Sequence, residues 1–127
     1  NSLQEIMNKK ILIIEDNEQN MYLLSYLLES FKYDIIKSYN GPDGIAEAVK
    51  YHPDMILLDI QLPEMDGYEV VRRLKQIKGF EKLPVIAVSS YAMPGDRQKA
   101  LQAGFDGYFE KPIDTDTFIT ALQNFFN

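Results

Sequence analysis

The stretch Asp54–Leu58 reads DMILL and runs directly into Asp59. It is short and apolar throughout after its first residue, with no polar alternation. That pattern marks a strand buried on both faces, the kind found in parallel sheets covered by helices on both sides. His52-Pro53 precedes it, and a residue before proline is pushed out of the helical region, so a helix ends there. Working outward, similar runs recur at Lys10–Glu15 (KILIIE), Tyr33–Ser38 (YDIIKS), Val85–Val88 (VIAV) and Gly107–Glu110 (GYFE).

Helical periodicity fills the gaps between these strands. Glu18 to Phe31 carries Met21, Leu24, Leu28 and Phe31 at helical spacing, with Leu23 and Leu27 widening the apolar stripe. Asn40-Gly41-Pro42 is a turn signal, and Pro42 suits the first turn of a helix reaching about Tyr51. Gln61–Gly67 reads as a loop, and Tyr68–Lys78 as a helix with Val71, Leu74 and Ile77 in register. Gly79 and Pro84 bracket another loop. Met93–Ala103 reads as a helix closed by Gly104, and Asp114 as the cap of a last helix, Thr115–Phe126. A strand–helix unit repeated about five times predicts a single doubly wound α/β domain over residues 10–127. Residues 1–9 are polar and aperiodic, and read as a frayed end.

Composition removes several classes of function. A chain of 127 residues suits one domain with one core. There is no cysteine, which excludes disulfides and thiolate metal sites, and His52 is the only histidine. The apolar runs, about five residues long, fall far short of the ~20 needed to cross a bilayer. No signal-peptide pattern opens the chain, so a cytoplasmic protein without a membrane partner is expected. A net charge of −6 argues against direct nucleic-acid binding.

In doubly wound sheets, ligands bind outside the carboxyl ends of the strands. Those ends carry Glu15-Asp16, Asp59, Ser89 and Lys111. Taken singly, each has an ordinary role: Asp16 or Asn17 as a helix cap, Asp59 as a turn residue, Ser89-Ser90 as a cap, Lys111 as a solvated charge. Together they converge on one crevice. Two carboxylates at ~4 Å repel by roughly 4 kcal/mol at an effective dielectric near 20, so a clustered set needs protons or a cation. A hard divalent ion such as Mg²⁺ suits carboxylates, waters and an anionic substrate. Phosphoryl transfer fits this set. Asp59 is the nucleophile, the metal and Lys111 neutralise the transferring oxygens, and the Ser89 hydroxyl can bind the group once it arrives, a built-in switch.

Four segments, Ile11–Asn17 (ILIIEDN), Leu57–Gly67 (LLDIQLPEMDG), Val85–Ser90 (VIAVSS) and Gly107–Ile113 (GYFEKPI), resemble the signature segments of two-component receiver domains of the chemotaxis-regulator kind. The resemblance covers about Lys10 to Phe126. It implies a flavodoxin-like (βα)5 fold with strand order 2-1-3-4-5. It makes Asp59 the acceptor of a phosphoryl group from a sensor histidine kinase or a histidine phosphotransfer protein. Asp16 would ligate Mg²⁺ (or Mn²⁺ in its place) directly, and Glu15 mostly through water. The Gln61 backbone carbonyl would complete the protein ligands. Ser89 would hold the phosphoryl group and Lys111 would pair with it, with a cis Lys111-Pro112 bond. Tyr108 would be an aromatic switch that moves inward as Ser89 moves, with a plain half-buried tyrosine of the fifth strand as the equal alternative. Ser90 stands where alanine is commonest, and Gln61 and Tyr91 occupy positions that tune loss of the phosphoryl group.

The output surface implied is the face of the fourth helix, fifth strand and fifth helix, with Arg97, Tyr108 and Asp116 as exposed candidates. A downstream protein target is expected, with the chain a monomer or a phosphorylation-dependent dimer. Glu15–Asn20 (EDNEQN) looks more like receivers of hybrid kinases and stand-alone regulators than those of DNA-binding factors. No output domain follows within these residues, so the chain is expected to act through protein partners or as part of a longer protein.

Three rivals share parts of this pattern. A phosphatase of the haloacid dehalogenase type needs a second acid two residues after its nucleophile, where this chain has Gln61, and the chain lacks length for a cap. A receiver-like interaction module that is not phosphorylated usually loses an acid, the acceptor or the lysine, and all are present here. Flavin or nucleotide binding would call for a glycine-rich loop after the first strand, where Asp16-Asn17-Glu18 would instead repel phosphate.

Overall fold

The computed structural model describes residues 9–90 and 93–126. The terminal segment through residue 8, and Tyr91, lie outside the described residues. Five strands, β1 (Lys10–Ile14), β2 (Asp34–Ser38), β3 (Met55–Asp59), β4 (Val85–Ser89) and β5 (Gly107–Glu110), alternate with five helices. These are α1 (Glu18–Ser30), α2 (Gly41–Tyr51), α3 (Gly67–Lys75), α4 (Asp96–Ala103) and α5 (Phe118–Gln123). Every strand pairing is parallel, and the order is β2-β1-β3-β4-β5.

The apolar strands explain the layering. Side chains alternate across a strand, so β1 sends Ile11 and Ile13 to one face and Leu12 and Ile14 to the other. The first set, with Met55, Leu57 and Ile86, packs under Met21, Leu24 and Leu28 of α1 and Phe118, Ile119 and Leu122 of α5. The second, with Ile56, Leu58, Val85 and Ala87, packs under Ala48 of α2, Val70, Val71 and Leu74 of α3 and Ala100 of α4. Three helices start on side-chain caps. Asn17 Oδ1 accepts from Asn20 N at 2.9 Å, Asn40 Oδ1 from Asp43 N at 2.8 Å, and Asp66 Oδ1 from Glu69 N at 3.0 Å.

Several boundaries differ from the sequence reading. The stripe on α1 is narrower than its apolar content suggests: Leu23 is 65% exposed and Phe31 51%. α3 stops at Lys75 rather than Lys78, with Gln76 as its C-cap. α4 begins at Asp96 instead of Met93. Gly95, at φ +89, lies in the left-handed region, and Asp96 Oδ2 accepts from Met93 N, closing a turn before the helix. α5 spans only Phe118–Gln123. Asp114 caps a preceding turn through Asp116 N, and past the helix Phe126 stacks on Tyr33 at 5.6 Å.

Candidate functional site

The parallel register brings the strand ends level. Ile14 pairs with Leu58, Asp59 with Val88, and Ser89 with Glu110. Glu15, Asp59, Ser89 and Lys111, far apart in sequence, therefore emerge at one edge of the sheet. Glu15, Asp59 and Ser89 are buried, whereas Asp16 stays exposed.

Lys111 ties the cleft together. Its Nζ donates to Glu15 Oε1 at 2.6 Å and to Asp59 Oδ2 at 3.2 Å. The other Asp59 oxygen, Oδ1, accepts from Gln61 N at 2.9 Å, and Glu15 Oε2 accepts from Asn17 N at 3.1 Å. Burial pushes the Glu15 carboxyl up to about 7 against the pull of Lys111, and the Asp59 charge adds to the rise. Burial alone would lower Lys111, but its bond to Glu15 and the charge of Asp59 more than offset this and hold it above the ordinary lysine value. The Lys111-Pro112 bond is cis.

Tight packing fixes the chain's exit from β3. Gly67 opens α3 against the end of β3, and its N–H donates to Ile60 O at 2.9 Å. A Cβ there would lie 2.6 Å from Ile60 Cα and 2.7 Å from Asp59 O, both backbone atoms with little room to yield. From the sequence Gly67 reads only as a loop residue. Its pairing with Asp66, a helix-capping type, was the available signal. Gln61 Nε2 is buried beside this turn and lacks a hydrogen-bond partner.

Tyr108 differs from expectation. It is 5% exposed, so it is not an accessible surface residue, although Arg97 and Asp116 are. Its ring belongs to the core beneath α3 and α4, and its hydroxyl is hydrogen-bonded to Ser89. Burial raises its pKa, and the Ser89 bond opposes the rise. The tyrosine ring thus points into the core. Tyr91, the other expected tuning residue, falls outside the described residues.

Among the described residues, Glu15, Asp16 and Asp59 can each offer one carboxylate oxygen with all three atoms within 4.8 Å of one another. An all-oxygen donor set of this kind fits a hard divalent cation and not zinc. The tie between Glu15 and Lys111 leaves exposed Asp16 the freer ligand.

A family model for the response regulator receiver domain matches residues 11–123. The chain belongs to the response regulator receiver domain family. Receiver domains are signalling domains, and the fold expected of them is the one observed. The polar-differentiation response regulator DivK of Brucella ovis is 41% identical over 119 residues, which cover 94% of this chain and 97% of DivK. The receiver domain of the sensor histidine kinase PA1611 of Pseudomonas aeruginosa, solved with a magnesium ion in its active-site cleft, is 31% identical. It superposes with a TM-score of 0.86 over 93% of this chain and 97% of its own. The chemotaxis protein CheY4 of Vibrio cholerae shares the fold at a TM-score of 0.86 and 24% identity, covering 93% of this chain and 98% of its own. No helix among the described residues is long and apolar enough to cross a membrane.

Proposed function

We propose that this receiver domain is a phosphoacceptor switch that takes a phosphoryl group from a phosphohistidine donor onto Asp59. The observation that carries the reading is the arrangement of Asp59 itself. One of its oxygens is held by Gln61 N at 2.9 Å and the other lies 3.2 Å from Lys111 Nζ, within a cluster of three acids. An oxygen of Asp59 forms the new bond to phosphorus, and the bond from phosphorus to the imidazole nitrogen breaks, with the electron pair leaving on the imidazole. Lys111 balances charge on the phosphoryl oxygens, and the Ser89 hydroxyl donates to one of them. Mg²⁺, held by Asp16 and Asp59 with Glu15 near and the Gln61 carbonyl as a further ligand, supplies additional charge neutralisation when bound. The chain acts on its own aspartate and is not a turnover enzyme on external substrates.

Ser89 links chemistry to output. It is bonded to Tyr108 before phosphorylation, so a phosphoryl group that recruits Ser89 alters what holds Tyr108. The surface of α4, β5 and α5 then reports the change to a protein target. A donor protein approaches from the strand ends, where exposed Leu23 and Tyr26 of α1 line a groove that continues to Lys111, Pro112 and Ile113. The resemblance to DivK and to a kinase's own receiver favours a histidine kinase or phosphotransfer protein in the cytoplasm as that donor. The test is incubation with acetyl phosphate, followed on a phosphate-affinity gel. A Mg²⁺-dependent shifted band that Asp59→Ala abolishes supports the switch. No band in the wild type, with no thermal response to beryllofluoride, replaces it with a non-phosphorylated interaction module.

A further inference from the structure

α4 is weakly anchored for a helix on an α/β sheet. Ala100 is its one buried residue, and Leu101 is 43% exposed. A helix normally docks through an apolar stripe, and this one has almost none. Two cations reach from it to aromatic rings instead. Lys99 Nζ lies 4.8 Å from the centre of the Tyr68 ring, and Arg97 Cζ lies 6.0 Å from that of Tyr108. Arg97 does more than Lys99, because its Nη2 also donates to the Tyr108 backbone carbonyl at 3.3 Å. The two contacts therefore tie α4 to different places. Tyr68 packs edge-on against Phe105 within the core, whereas Tyr108 is bonded to Ser89 at the phosphoryl site.

We infer that Arg97 is a positioning residue that latches Tyr108 inward against Ser89 and so couples α4 to the phosphoryl site. The inference rests on the switch proposed above. The bond to the Tyr108 carbonyl holds the guanidinium over the same residue's ring, so the ring cannot swing outward without giving up that cation–π contact. Movement of Tyr108 in turn releases α4 at one of its two cationic anchors. An exposed cation–π contact and one charge-assisted hydrogen bond are enough to bias a two-state equilibrium several-fold.

The experiment compares wild type with Arg97→Ala, Arg97→Lys and Lys99→Ala. The position of the Tyr108 ring is followed by NMR of ring-labelled tyrosine in the unliganded protein. Affinity for beryllofluoride with Mg²⁺ is then measured by titration. Arg97→Ala is expected to move the Tyr108 ring signals toward solvent-exposed values and to weaken beryllofluoride about three- to tenfold. Arg97→Lys, which keeps a cation near the ring, restores most of the affinity. Lys99→Ala loosens α4 without touching Tyr108 and stays within about twofold of wild type. An unmoved Tyr108 ring in Arg97→Ala overturns the latch, as does an equal loss in Lys99→Ala. Failure of the wild type to bind beryllofluoride overturns the phosphoryl-site reading instead, while the ring signals of the unliganded protein still decide the latch.

Discussion

Lys111→Met should destabilise the metal-free protein in a strongly pH-dependent way. Lys111 Nζ sits 2.6 Å from Glu15 Oε1 and 3.2 Å from Asp59 Oδ2, with both acids buried. At an effective dielectric near 20 the two attractions are roughly 6 and 5 kcal/mol gross. Desolvation of all three groups cancels much of this, and removing one partner of a buried pair costs about 3–5 kcal/mol net. Glu15 decides how the cost varies with pH. Its folded value, about 7, lies above the ordinary 4.5. The native chain therefore keeps a proton that the unfolded chain has lost, and the Glu15 contribution to stability falls as pH rises through that window. Without Lys111 the strongest influence holding Glu15 down is gone, so its value climbs further and the window widens upward. Near pH 5.5 Glu15 is neutral in both proteins and the variant loses chiefly the Lys111–Asp59 attraction, about 1–3 kcal/mol net. Near pH 8.5 the attraction to Glu15 is lost as well and the cost should rise by about 2 kcal/mol, a further fall in Tm of roughly 7 °C for a chain of this size. Thermal unfolding in chelator at the two pH values measures this. Equal losses at both would refute the coupling between Lys111 and Glu15.

Other outcomes follow from the same geometry. Mg²⁺ should raise the Tm of the wild type, and Asp16→Ala should remove most of that gain. Because Mg²⁺ favours the charged carboxylate, its affinity should rise as Glu15 deprotonates near pH 7, with proton release visible by calorimetry in buffers of different ionisation heat. Gly67→Ala should cost about 1–3 kcal/mol and slow phosphorylation, since the added Cβ meets the backbone of Asp59 and Ile60. Leu23→Asp should leave phosphorylation by acetyl phosphate intact and slow transfer from a phosphohistidine protein about tenfold or more, the effect of losing one well-packed interface side chain.

The strands were legible because five short apolar runs cannot be read otherwise once helices separate them. The cleft was legible for a related reason. Parallel strands end on the same side, so Glu15, Asp59, Ser89 and Lys111 had to meet. What periodicity could not supply was the choice between overlapping stripes. Met21, Leu24 and Leu28 are buried, while Leu23 sits one residue away at helical spacing and faces outward. Helix ends were blurred by local turns. Gly95 in a left-handed conformation delays α4, and Asp114 caps a turn rather than α5 itself. The position of Tyr108 was hidden because β5 gives only four residues of pattern, and its burial depends on α3 and α4 packing over it.

The most direct test is to locate the phosphoryl group. The protein is treated with acetyl phosphate and Mg²⁺, reduced with borohydride to trap any acyl phosphate, and mapped by mass spectrometry of peptides. The reduced residue is expected at position 59, and omission of Mg²⁺ should remove it. A modification confined to another acid, such as Glu15 or Asp16, would contradict the assignment of Asp59 as the acceptor.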